Sequence, residues 1–110
     1  MIQPRFVFGG GYWDTATKNR KFGMVKPCGD QPPYTCTSMH DAEKTFRLVQ
    51  SHAHMYAISE DLRTLTLLQQ GDVRSEGGTF CGRDYTEGEI VTAPQTVALT
   101  DDEIKSIRGF

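Results

Sequence analysis

The sequence predicts an α+β fold: a small antiparallel β-sheet packed against an amphipathic helix over about 38–53, with a short C-terminal helix over about 100–108. Three observations carry this. Apolar residues recur at spacings of three and four from Met39 to Ala53, the period of a helix lying on a core. Short β-rich runs separated by turn residues precede that stretch. A capping sequence at Thr100 opens a last helix.

Taken in order, Arg5-Phe6-Val7-Phe8 reads as a first strand stopped by Gly9-Gly10-Gly11, because glycine has no side chain to pack and loses much entropy in a strand. Tyr12-Trp13-Asp14 reads as a short second strand. Its partner is Phe22-Gly23-Met24-Val25, with Phe22 and Met24 on one face by the period of two. Residues 5–26 therefore form a small antiparallel meander. The segment 27–37, with Pro27, Gly29, Pro32 and Pro33, is a loop, since proline lacks an amide donor and restrains its predecessor. Ser38 is a good N-cap, with Asp41 three residues on, and Met39, Ala42, Phe46, Val49 and Ala53 make the buried stripe.

Residues 55–70 fit two patterns. Tyr56-Ala57-Ile58, a turn at Ser59-Glu60-Asp61 and Thr64 to Leu68 make a hairpin, supported by threonine and by the alternation of Leu65 and Leu67. A helix capped by Ser59 and ended by Gly71 is the rival; the hairpin is slightly favoured. Five glycines within 71–88 mark a long loop, interrupted by a short strand near Thr79-Phe80-Cys81. Glu89-Ile90-Val91-Thr92 reads as a strand, with Pro94 marking an edge or an end. Thr100 and Glu103 form a capping box, Asp101 and Asp102 complement the helix dipole, and Ile104 and Ile107 supply the apolar edge.

The chain has 110 residues, of which 37% are hydrophobic and 24% charged. A chain of this length buries roughly two thirds of its unfolded surface in one core, so residues 1–110 are expected to form a single compact domain. The net charge of −2 gives no long-range attraction to nucleic acid or anionic lipid. Lys18-Asn19-Arg20-Lys21 is the densest basic run and is read as a solvated turn. No apolar run approaches the roughly 20 residues that span a bilayer, and the N-terminus does not resemble a signal peptide. With an odd number of cysteines, Cys28, Cys36 and Cys81, the expectation is reduced thiols in the cytoplasm, although a Cys28–Cys36 bridge is allowed by spacing.

Several constellations invite chemistry. Cys28, Cys36, His40, His52, His54 and Cys81 lack the paired spacing of zinc ligands, so no metal and no cofactor are expected. Cys81, followed by Arg83, is a weak candidate nucleophile that needs one of the histidines as base; a small buried apolar residue is the simpler reading. Arg74 and Arg83 in the glycine-rich segment suit an anion, but neither nucleotide-binding glycine fingerprint is present and the surrounding residues are net acidic. Aromatic and arginine side chains favour interface centres. This singles out Tyr34 beside Pro32-Pro33, expected to be exposed, together with Arg74, Arg83, Tyr85 and Trp13. For Trp13 a place in the core is the favoured alternative.

The function expected is a small non-catalytic protein-binding module, an inhibitor, adaptor or regulator of another macromolecule. The alternative is a small-ligand or anion binder, or a cysteine-dependent enzyme using Cys81, a histidine and the Arg74/Arg83 loop. Self-association through a β edge is compatible with either.

Overall fold

The structure is a computed structural model. It describes residues 4–14, 19–27, 31–72, 76–80, 83–87 and 93–108, and for 11–14, 19–21, 76–80, 83–87 and 108 the backbone alone. The described elements run β1 (Phe6–Asp14), β2 (Asn19–Met24), β3 (Thr35–Cys36), α1 (Met39–Val49), β4 (His54–Ile58), β5 (Thr64–Gln69), β6 (Glu76–Phe80), β7 (Arg83–Glu87), β8 (Thr96–Ala98) and α2 (Asp101–Arg108). The main sheet has the order β2-β1-β4-β5-β8, with β3 also paired to β1, and its described pairings are all antiparallel. β6 and β7 make a separate two-stranded antiparallel sheet.

The alternation of side chains along β1 and β4 divides the core in two. Phe6 and Phe8 join Met55, Cys36 and Ala53 under α1, against Ala42, Phe46 and Val49. Val7 and Tyr56 face the other way and join Met24, Leu62, Leu65, Val97 and Leu99 under α2, against Ile104 and Ile107. Phe6-Val7-Phe8 is apolar without interruption because each face of the strand carries its own helix.

Both helices start as their sequences require. The Ser38 side chain accepts from the Asp41 amide at 3.2 Å, and at α2 the Thr100 amide donates to Glu103 while the Glu103 amide donates to the Thr100 hydroxyl, at 3.0 and 3.2 Å. Of the expected α1 stripe, Ala42, Phe46 and Val49 are buried on the helix and Ala53 just beyond it, whereas Met39 is exposed.

The segment 55–70 is the hairpin β4–β5. Its turn is knotted by Ser59 and Asp61: the Ser59 hydroxyl donates to Asp61 Oδ1 at 2.6 Å, and the Arg63 and Thr64 amides donate to Asp61 and Ser59 at 3.1 and 3.0 Å. The bonds from the Ser59 hydroxyl and the Arg63 amide hold the Asp61 carboxyl below its ordinary value, the Ser59 bond contributing most. Leu62 takes a left-handed φ of 62°, a strained conformation for a leucine, because its side chain is thereby buried in the α2 core.

Four local expectations change. The glycines Gly9-Gly10-Gly11 do not stop β1; they lie inside it, and Tyr12-Trp13-Asp14 is its continuation rather than a new strand. The segment 27–37 contains the short strand β3. The region 71–88, read as a long loop, contains the hairpin β6–β7. β8 was not foreseen; three residues flanked by Pro94 and Thr100 are too few for a period-two signal. The expected strand 89–92 lies outside the described residues. Among the described residues no helix is long and apolar enough to cross a membrane.

Candidate functional site

The three histidines are dispersed. His40 is exposed at the start of α1, His52 is half-buried in the turn after it, and His54 is fully buried on β4. Among the described residues no group of three or more His, Cys, Asp or Glu is arranged to hold a metal. Cys36 is a free, buried thiol whose Sγ lies 3.3 Å from Thr45 Oγ1. Cys28, Cys81 and Arg74 lie outside the described residues.

Tyr34 is half-buried rather than exposed and packs against the α1 core. The adjoining prolines do not carry it outward, because the Tyr34 amide donates to the Val25 carbonyl at 2.9 Å and pins the segment beside the sheet. Trp13 is placed on β1 opposite Arg20. Arg83 and Tyr85 are two positions apart on β7, opposite Phe80 and Gly78. β7 approaches β1, the strand that carries Trp13. Of the residues singled out by sequence, Arg83 and Tyr85 are therefore brought onto one short strand, while Tyr34 lies apart from them, half-buried against the α1 core.

The most unusual polar chemistry was not anticipated. His54 and Tyr56 are both fully buried, with their rings edge to face and centroids 6.3 Å apart. Phe22 meets Tyr56 edge to face from the neighbouring strand pair at 5.4 Å. The Gly71 amide donates to His54 Nδ1 at 2.8 Å. Nδ1 is thus the acceptor, and the neutral ring carries its proton on Nε2. Among the described residues neither His54 Nε2 nor the Tyr56 hydroxyl has a hydrogen-bond partner. A buried polar group left unpaired costs about 1–3 kcal/mol. Burial lowers the His54 pKa from its ordinary 6.5 and pushes Tyr56 up to about 12.

This geometry limits what His54 can do. With Nδ1 occupied by an N–H donor and Nε2 already protonated, taking up a proton means breaking the Gly71 bond. His54 is therefore ill suited to serve as the general base for a cysteine nucleophile, which needs a free lone pair within reach. The signal for the His54–Tyr56 pair was the alternation in His54-Met55-Tyr56-Ala57-Ile58, legible once the segment is read as a strand.

Compared with known proteins, the whole chain aligns with a SURF1-like protein of Drosophila melanogaster at 26% identity over 116 positions. The chain spans 39% of that relative's length. No protein-family model matches the chain, and no solved structure does.

Proposed function

We propose that this chain is a small non-catalytic protein-binding module whose contact element is the β6–β7 hairpin. One observation carries the reading: Arg83 and Tyr85, residue types favoured at the energetic centres of interfaces, lie two positions apart on β7, in a two-stranded sheet separate from the main one. Alternate positions of a strand belong to one face of the ribbon. The main sheet, by contrast, commits Phe6, Phe8 and Met55 to α1 and Val7, Tyr56 and Leu65 to α2.

The setting we infer is the cytoplasm, supported by the free Cys36 thiol. Self-association through β8 is compatible with this role, since β8 ends the strand order among the described residues. Affinity capture with the wild-type chain and with an Arg83→Ala/Tyr85→Ala variant tests the reading. A specific partner retained by the first and lost by the second, at equal thermal stability, supports it. An identical set of captured proteins removes the hairpin from the interface.

A further inference from the structure

We propose that His54 and Gly71 form an acid-sensitive latch, which fastens the chain just after β5 to the C-terminal end of α1 and releases it on acidification. β5 ends at Gln69. Two residues on, the Gly71 amide donates to the fully buried His54 Nδ1 at 2.8 Å, and the Asp72 amide donates to the Gln50 carbonyl at 2.6 Å. Gln50 is the C-cap of α1. Gly71 is seated so tightly that a Cβ there would collide with the carbonyl oxygen of Ala53 and lie 2.5 Å from that of Gln50. Gly71 lies five residues before Glu76, the first residue of β6.

A proton taken from solvent by Nδ1 turns the acceptor into a donor. Two N–H groups then face each other, the Gly71 bond breaks, and the imidazolium is left without water. Relief comes by moving the 71–72 segment away.

The titratable and charged groups near the contact do not remove this effect. On β4, Tyr56 stays neutral because burial raises its pKa to about 12. From β1 and β2, Gly9, Phe22 and Met24 bring no charge to that face. His52, in the preceding turn, is itself disfavoured as a cation by burial. The Asp72 carboxylate, one residue past Gly71, is exposed to solvent. The carbonyls at the end of α1 favour a cation, yet desolvation prevails and lowers the His54 pKa. The latch is independent of the partner-binding reading, because it concerns only the attachment of residues 71–72.

The experiment is amide hydrogen exchange of Gly71, expressed as protection relative to the intrinsic rate at each pH, alongside NMR titration of the His54 ring. In the wild type, protection of Gly71 falls by up to about tenfold per pH unit as pH drops below about 6.5, and levels off where the closed-state ring titrates. Below 6.5 core amides on β4 are to keep their protection while Gly71 loses its own. A His54→Asn variant, which keeps an uncharged acceptor near the Nδ1 position, holds the Gly71 protection constant across this range. Gly71 protection unchanged in the wild type while His54 titrates overturns the latch. So does the same pH response in His54→Asn. If that variant does not fold, the paired wild-type curves decide alone: a loss of Gly71 protection that begins near pH 6.5 and ends where the His54 ring titrates supports the latch, and a loss that continues unchanged below that point, or no loss at all, overturns it.

Discussion

Phe22 lays its ring over Gly9 so closely that a Cβ at Gly9 would sit 2.5 Å from the ring Cζ and 2.8 Å from the Gly23 carbonyl oxygen. The same ring meets Tyr56 edge to face. The glycine inside β1 thus makes room for an aromatic that bridges β2 and β4, which is why the strand continues where the sequence signals a stop.

Gly9→Ala is expected to cost about 1–3 kcal/mol, the range for overpacking a tight site. Urea unfolding measures it. Adding Phe22→Leu recovers part of the loss, because the ring is one of the two obstacles; the carbonyl of Gly23 is the other. Strictly additive effects of the two changes contradict a direct contact.

Leu62 sets strain against burial. A left-handed leucine costs about 1–2 kcal/mol, whereas removing a buried leucine side chain costs about 2–5 kcal/mol. Leu62→Gly relieves the first and incurs the second, so a net loss of about 1–3 kcal/mol is expected from these ranges. A gain in stability shows that the Leu62 side chain does not contribute to the α2 core.

Stability is expected to form a plateau between about pH 6.5 and 10. His54 is held below its ordinary pKa by burial, so the unfolded chain binds protons first. Its contribution is full above the unfolded value of 6.5 and is lost as pH falls toward the folded one; His52 acts with the same sign. Tyr56, raised from 10.0 to about 12, works in reverse: its contribution is present below 10 and lost as pH rises through 12. Urea midpoints across pH check both limbs, and His54→Asn removes the His54 share of the acid limb and leaves that of His52.

Tyr56→Phe removes the alkaline limb and is neutral or stabilising at pH 7, since the deleted hydroxyl is buried and has no hydrogen-bond partner among the described residues. A loss above about 1 kcal/mol, the net worth of a typical hydrogen bond, means that the hydroxyl is bonded in solution.

Thr100→Ala removes the acceptor for the Glu103 amide and is expected to cost about 1 kcal/mol of stability. Glu103→Gln, which keeps an acceptor for the Thr100 amide, costs less. Equal losses for both changes contradict a capping role for the hydroxyl.

What was legible in the sequence was local. Ser38 and Thr100 announced α1 and α2 through bonds spanning three residues, and Phe22 and Met24 showed their shared face by simple alternation. What was hidden depended on contacts distant in sequence. Gly9 needs Phe22, and Gly71 needs His54 and Gln50, before either glycine can be told from a loop signal. Tyr34 beside two prolines reads as exposed until Val25 is known to bind its backbone. For the proposed site, residue type alone marks Arg83 and Tyr85 in the sequence. Their pairing on β7 required the register with Phe80 and Gly78, in a segment where glycine obscures the strand pattern.

The partner-binding reading meets its most direct test in a titration of the captured partner against the wild-type chain and the Arg83→Ala/Tyr85→Ala variant. The predicted result is binding at least about 30-fold weaker in the variant, the loss of one interface hot spot or more, at an unchanged melting temperature. Equal affinity of the two chains contradicts it.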